Sequence, residues 1–166
     1  MGLGGLGHMA VKLARALGAE VTVLSTSPNK EKDARALGAS GFVVTKDPAQ
    51  LKAVRGAFDI IINTVSAPLD LNTYVGLLRR DGTMVLLGVP PEAPTLQAFA
   101  LIGGRRRVAG SLIGGIAETQ EMLDFCGAHE LMADVEVIPM AKINEAYERM
   151  LKGDVRYRFV IDLKTV

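Results

Sequence analysis

The chain has 166 residues, 49% of them hydrophobic and 22% charged, so it is long enough to bury a core and ordinary in composition for a soluble globular domain. Its net charge of +1 excludes a general electrostatic pull toward nucleic acid or an anionic membrane, and no apolar run reaches the length of a membrane span. The single cysteine, Cys126, excludes an internal disulfide or a multi-cysteine metal site within one chain, and the absence of a basic-then-apolar leader makes the cytoplasm the expected compartment.

Helix and strand signals alternate along the chain. Leu6, Met9, Ala10, Leu13 and Leu17 recur at helical spacing and predict a helix over residues 5–18, closed by Gly18. A short strand follows over 20–24, then a helix over 28–37 with Pro28 in its first turn and Gly38 beyond its end, then a strand over 42–45. The string Ala-Arg-Ala-Leu-Gly-Ala stands at 14–19 and again at 34–39, each time as a helix end feeding a strand. The run Phe58-Asp-Ile-Ile-Ile-Asn63 is continuous and β-branched, as in a strand covered on both faces. Next come a helix over 69–79, a turn at Asp81-Gly82 and strands over 83–87 and 108–113. A helix over 117–128, a strand over 135–138, a helix over 143–152 and a strand over 159–163 complete the chain. This alternation predicts an α/β fold, a Rossmann-type doubly wound parallel sheet with helices on both faces.

Gly2-Leu-Gly4-Gly5-Leu-Gly7 fits the spacing G-x-G-x-x-G. In such a loop the first glycine turns tightly, the second admits a pyrophosphate and the third lets helix and strand pack closely. Only Met1 precedes the loop, so the first strand of the fold is missing from the chain. About twenty residues on, where an NAD-binding site would hold a carboxylate, the chain has Ser25-Thr26-Ser27 and then Lys30. Three hydroxyls and an ammonium suit a 2′-phosphate, which a carboxylate would repel, and this favours NADP over NAD. Ser27-Pro28 read merely as an N-cap and first-turn proline would account for Ser27 but not for Ser25, Thr26 or Lys30.

Six ordered blocks carry a family resemblance. They are Gly-Leu-Gly-Gly-Leu-Gly-His-Met-Ala-Val-Lys, Ser-Thr-Ser-Pro-x-Lys, Asn63 to Ala67, Leu87 to Pro90, Gly110 to Gly114, and Val155 to Asp162. In this order they resemble the zinc-dependent medium-chain alcohol dehydrogenases, in their cinnamyl-alcohol-dehydrogenase-like branch, over essentially the whole chain. The resemblance implies that Gly2, Gly4, Gly5, Leu6 and Gly7 form the pyrophosphate loop, and that Ser25, Thr26, Ser27 and Lys30 bind the 2′-phosphate. It implies further that Thr64 and Val65 border the riboses, that Val89 with Ser111, Leu112 and Ile113 holds the nicotinamide end, and that Arg158 reaches the pyrophosphate.

The same resemblance divides the chain into a nucleotide-binding domain, residues 1–113, and a segment 114–166 that returns to a catalytic domain. It makes the chain the C-terminal, NADP(H)-binding portion of an alcohol or aldehyde oxidoreductase, a homodimer through the strand at 108–113. Zinc and the alcohol chemistry belong to an upstream domain, so the chain alone is expected to be inactive. Cys126, His8 and His129 fall in no ligand pattern, giving no metal site and no catalytic residue. His8 reads as a polar residue of the first helical turn rather than a catalytic base, Cys126 as a core residue, and Arg105-Arg-Arg107 as a solvated turn. The alternative is a stand-alone nucleotide-binding or regulatory module. Short-chain dehydrogenase chemistry is excluded, since no tyrosine has a lysine four residues on, and no Gly-Lys-Ser/Thr makes a P-loop. Because the absent strand belongs mid-sheet, its place is expected to be filled by an upstream fragment, a second copy, or the strand at 135–138 or 159–163.

Overall fold

The structure is a computed structural model and describes residues 1–166. Strands β1 (Thr22–Ser25) and β2 (Gly41–Val44) pair in parallel, and β3 (Phe58–Asn63), β4 (Leu78–Leu86) and β5 (Arg107–Gly110) form a second parallel set in that order. Residues 1–3 lie between the two sets. The Gly2 N–H donates to the Leu24 carbonyl at 2.9 Å, and the Thr64 N–H donates to the Met1 carbonyl at 3.1 Å. The Met1 nitrogen in turn donates to the Ile62 carbonyl at 2.6 Å. These residues are a stub of the mid-sheet strand, and through them the order reads β2-β1-stub-β3-β4-β5, the doubly wound Rossmann arrangement.

Helical connections make each parallel step possible. Helix α1 (Gly5–Ala16) leads from the stub to β1, and α2 (Glu31–Ala36), entered through a 3₁₀ turn at Pro28–Lys30, leads to β2. Both end as the repeated string predicts. Gly18 and Gly38 take φ +86° and +107°, and Ala19 and Ala39 donate back to the carbonyls of Ala14 and Ala34. Two short helices escape the periodicity: α3 (Pro48–Ala53), capped by Asp47, and α5 (Ala98–Ile102). Helix α4 (Leu71–Val75), capped by Asp70, is shorter than the 69–79 expected, because β4 already begins at Leu78. The Asp81-Gly82 turn falls inside β4 as a bulge, with Asp81 at φ +64° and the register shifting between Phe58 and Ile60.

The core sits under this sheet. One cluster unites Leu24, Val43, Ile61, Leu71, Val75, Leu77, Leu78 and Met84, and a second unites Leu3, Val11, Val23, Ala34 and Ala39 beside α1. Beyond β5 follow α6 (Ile116–Ala128), β6 (Val135–Pro139), α7 (Ile143–Leu151) and β7 (Arg158–Asp162).

Three expectations need correction. The late strands do not enter the gap; β6 and β7 pair with each other in parallel as a sheet of their own. Beside Phe58–Ile61 no other strand of this chain fills the place, and Ile60 is 62% exposed. The strand expected at 108–113 is β5, Arg107–Gly110, and Ser111 to Ile113 lie outside it, with Leu112 87% and Ile113 89% exposed. Finally, the arginine run is not merely solvated. Arg106 donates to the carbonyls of Leu78 and Ala100, while Arg105 pairs with Asp81 at 2.9 Å.

Candidate functional site

The glycine loop meets three separate steric demands. Gly2 has φ +84°, a left-handed conformation in which side chains are strained. A Cβ at Gly7 would stand 2.3 Å from the Gly2 carbonyl oxygen, so α1 can cross the stub this closely only without one. A Cβ at Gly4 would meet nothing within 4 Å, which leaves the face of the loop open. Helix α1 follows with no acidic residue in its first turn, and its leading N–H groups have no partner within the helix. A helix N-terminus of this kind favours an anion.

The loop opens onto a cleft of about 500 Å³. Gly2, Ser25, Thr26, Ser27, Lys30 and Val65 line it, together with Thr45 and Lys46 from the end of β2 and Asp70, Thr73 and Tyr74 from the opposite wall. Strand β1 ends at Ser25, whose buried Oγ accepts the Ser27 N–H at 3.2 Å and so folds the turn. Ser27 occupies the N-cap position before Pro28 but makes no capping hydrogen bond with its side chain, so capping does not account for its hydroxyl. Lys30 Nζ donates to the Leu3 carbonyl at 3.0 Å, tying this turn to the glycine loop, and pairs with no carboxylate. The only carboxylate lining the cleft, Asp70, is engaged as the cap of α4. Hydrogen bonds from the Thr73 hydroxyl and Asn72 hold its pKa below the usual carboxylate range.

Other expected site residues fall into two groups. Thr64 stands beside the loop, its Oγ1 donating to the Met1 carbonyl at 2.9 Å, and the Arg158 guanidinium lies over Gly5, where an added Cβ would sit 3.5 Å away. Gly88 packs so closely on Val65 that a Cβ would lie 2.2 Å from the Val65 carbonyl oxygen, which sets where Val89 leaves the sheet. Gly4, Gly5, Leu6, Gly7, Thr64 and Arg158 flank the cleft without lining it, and Val89, Ser111, Leu112 and Ile113 are exposed and do not line it either. Sequence spacing misses Thr45 and Lys46. The signal that could find them is parallel pairing, which ends β2 at the same sheet edge as β1.

His8 stands in the first turn of α1, as expected, but it does not face solvent. It is completely buried, stacked on Tyr157 with ring centroids 4.5 Å apart. Its Nε2 accepts the Asp134 N–H at 3.2 Å, which leaves Nδ1 as the donor toward the Gly4 carbonyl at 3.3 Å. It ties the glycine loop to the C-terminal segment, as does the Lys12–Asp134 pair at 2.7 Å. With His8 so engaged, His129 beside Phe125 and Cys126 buried near Met122, no three His, Cys, Asp or Glu side chains converge to hold a metal. The residues present do not fit a zinc ion, and no chemistry of this chain is routed through one.

The family profile described as zinc-binding dehydrogenase matches residues 5–128. The chain belongs to that family. NADP-dependent alcohol dehydrogenase C 1 of Mycolicibacterium smegmatis is 57% identical over 162 residues, covering 98% of this chain and 46% of the relative. Aldehyde reductase YahK of Escherichia coli is 53% identical over 167 residues, covering 100% of this chain and 48% of the relative. Among solved structures, a cinnamyl alcohol dehydrogenase from Sorghum bicolor superposes with a TM-score of 0.95 at 51% identity, over 98% of this chain and 46% of that one. The CAD from Helicobacter pylori complexed with NADP(H) superposes at 0.87 with 42% identity, again over 98% of this chain and 46% of that one. The chain thus spans about half the length of these family members, and the likeness covers nearly all of it.

Proposed function

We propose that this chain is the NADP(H)-binding portion of a zinc-dependent alcohol or aldehyde oxidoreductase. The observation that carries the reading is the cleft itself, where Gly2 and Leu3 of the glycine loop meet a turn of hydroxyls and an ammonium with no carboxylate partner. In this reading Gly2, Gly4, Gly5, Leu6 and Gly7 with the first N–H groups of α1 hold the pyrophosphate, and Arg158 adds a charge-assisted contact from above Gly5. Ser25, Thr26, Ser27 and Lys30 hold the 2′-phosphate, and Thr64 and Val65 flank the riboses. Val89 and the backbone of Ser111 to Ile113 receive the nicotinamide end, which requires that exposed segment to close onto the cofactor. When bound, NADP(H) supplies or accepts the hydride; this chain binds and orients it.

Residues 1–113 act as the nucleotide domain, and residues 114–166 serve a catalytic domain that carries zinc and the alcohol or aldehyde pocket. The protein is cytoplasmic, the chain by itself is inactive, and the complete enzyme pairs through the edge of β5. Exposed Leu112 and Ile113 beside that edge support such pairing.

Titration of the chain with NADPH and NADH, by fluorescence or calorimetry, tests the cofactor reading. Tighter NADPH binding is expected. Equal affinities, or none for either, would overturn it.

A further inference from the structure

The turn after β1 has a neighbour in the sheet. Strands β1 and β2 run parallel with Ser25 opposite Val44, so the residues leaving each strand emerge side by side. The Thr45 N–H donates to the Ser25 carbonyl at 2.8 Å, which carries the pairing one residue past the end of β2. Lys46 comes next and lines the same cleft as Ser25, Thr26, Ser27 and Lys30.

Its backbone is held firmly. The Val44 N–H donates to Gln50 Oε1 at 2.8 Å, and the Asp47 N–H returns to the Val44 carbonyl at 3.0 Å. Its charge is uncommitted, since Lys46 enters none of the ion pairs of the chain. The adjacent Asp47 is not its partner either. Its carboxylate accepts the Ala49 and Gln50 N–H groups and the Gln50 amide as the cap of α3, turned to that helix. Two lysines from the turns that follow neighbouring strands therefore line one cleft with Ser25, Thr26 and Ser27, and neither has a carboxylate of its own. Like charges placed together without counter-charge repel, and a bound dianion would relieve that repulsion.

We propose that Lys46 is a second cationic residue of the 2′-phosphate site, a determinant of NADP(H) over NAD(H) acting beside Lys30. The inference rests on the cofactor reading above and deepens it. Lys30 is pinned near the glycine loop through Leu3, whereas Lys46 lines the cleft from the turn after β2, so a 2′-phosphate held there would have a lysine on each side.

Calorimetry with 2′,5′-ADP and 5′-AMP on the full 166-residue chain separates the two claims, because the probes differ only in the 2′-phosphate. Lys46→Gln is expected to weaken 2′,5′-ADP binding by about three- to tenfold, as for a partly exposed charge-assisted contact, with 5′-AMP unchanged. Lys46→Arg should retain the parent's preference, and the salt dependence of 2′,5′-ADP binding should flatten in Lys46→Gln. If Lys46→Gln binds both probes as the parent does while Lys30→Gln loses the preference, Lys46 is a solvated loop cation and the inference is wrong. If the parent shows no preference for 2′,5′-ADP, or binds neither probe, the cofactor reading itself fails.

Discussion

The two ends of the molecule bury very different amounts of themselves. Through β4, the sheet and its helices contribute every residue of both core clusters, down to fully enclosed Leu78, Met84 and Val75. After β5, only Cys126, Ile138 and Ala146 are buried among apolar residues, while Val137, Met132, Leu151 and Leu163 stand mostly in solvent. The half that carries the glycine loop thus has its own hydrophobic stabilisation. The later half is held to it by Tyr157, stacked on His8 against the second cluster, and by polar ties: His8 to Asp134, Lys12 to Asp134, and Arg156 to Asp33. A sheet of two strands is marginal alone, so β6 and β7 depend on such ties more than β3 and β4 do.

Truncation in each half tests this contrast most strongly. Leu78→Ala, at a completely buried position, should cost about 3–5 kcal/mol, and Ile138→Ala, at the rim of a loosely covered sheet, about 1–2 kcal/mol. Denaturant midpoints at constant m-value measure both. Equal losses would show that the later half has a core as cooperative as the first.

The glycine loop gives a second pair. Gly7→Ala forces a Cβ against the Gly2 carbonyl, so α1 must shift from the stub, at a cost of about 1–3 kcal/mol together with a loss of NADPH binding. Gly4→Ala meets no atom in the protein and should leave the melting temperature nearly unchanged while weakening NADPH, whose phosphates would compete for that space. Were Gly4→Ala to bind NADPH as the parent does, the pyrophosphate would lie elsewhere.

The same contrast sorts what the sequence reveals. The repeated helix ends at Gly18 and Gly38 and the run Phe58 to Asn63 are legible because each is decided locally, by a left-handed glycine or an unbroken β-branched stretch. Ser25 to Lys30 is legible because it lies at a fixed interval from the glycine loop. Ser111 to Ile113 misleads, since β-compatible residues read as a continuing strand although β5 ends at Gly110 and only the Ser111 N–H still reaches Leu86. The place of Lys46 in the cleft and the burial of His8 are illegible for the opposite reason. What places them is pairing between elements far apart in sequence, Ser25 with Val44 and Asp134 with His8.

Between the halves, His8 offers the next test. His8→Leu fills similar space but leaves the Asp134 N–H without its acceptor in a partly buried place, worth about 1–3 kcal/mol. His8→Gln, able to accept again, should recover part of it. Hydrogen exchange is the sharper readout, because β6 should lose protection while β3 and β4 keep theirs. Uniform loss would mean that the two halves unfold as one.

The smallest effect is expected from Glu136, which gathers the polar ties inside the later half. The Arg156 N–H donates to its carboxylate at 2.9 Å and the Arg149 guanidinium at 2.8 Å, and Arg149 also reaches Asp154 at 3.0 Å and lies over Phe159. Hydrogen bonds from the Arg156 backbone first, then from Arg149, lower the Glu136 pKa below its usual value. A carboxylate whose folded pKa is depressed adds stability that is fully present above its unfolded pKa and fades as pH falls through the folded one. Protection of β6 and β7 should therefore decline as pH falls below the ordinary carboxylate range, and that decline should shrink in Glu136→Gln. Because these side chains are open to water, salt should screen much of the difference, whereas the Leu78 effect should not respond to salt at all. A pH response unchanged in Glu136→Gln would show that the Glu136 contacts with Arg149 and Arg156 are not what makes β6 and β7 acid-sensitive.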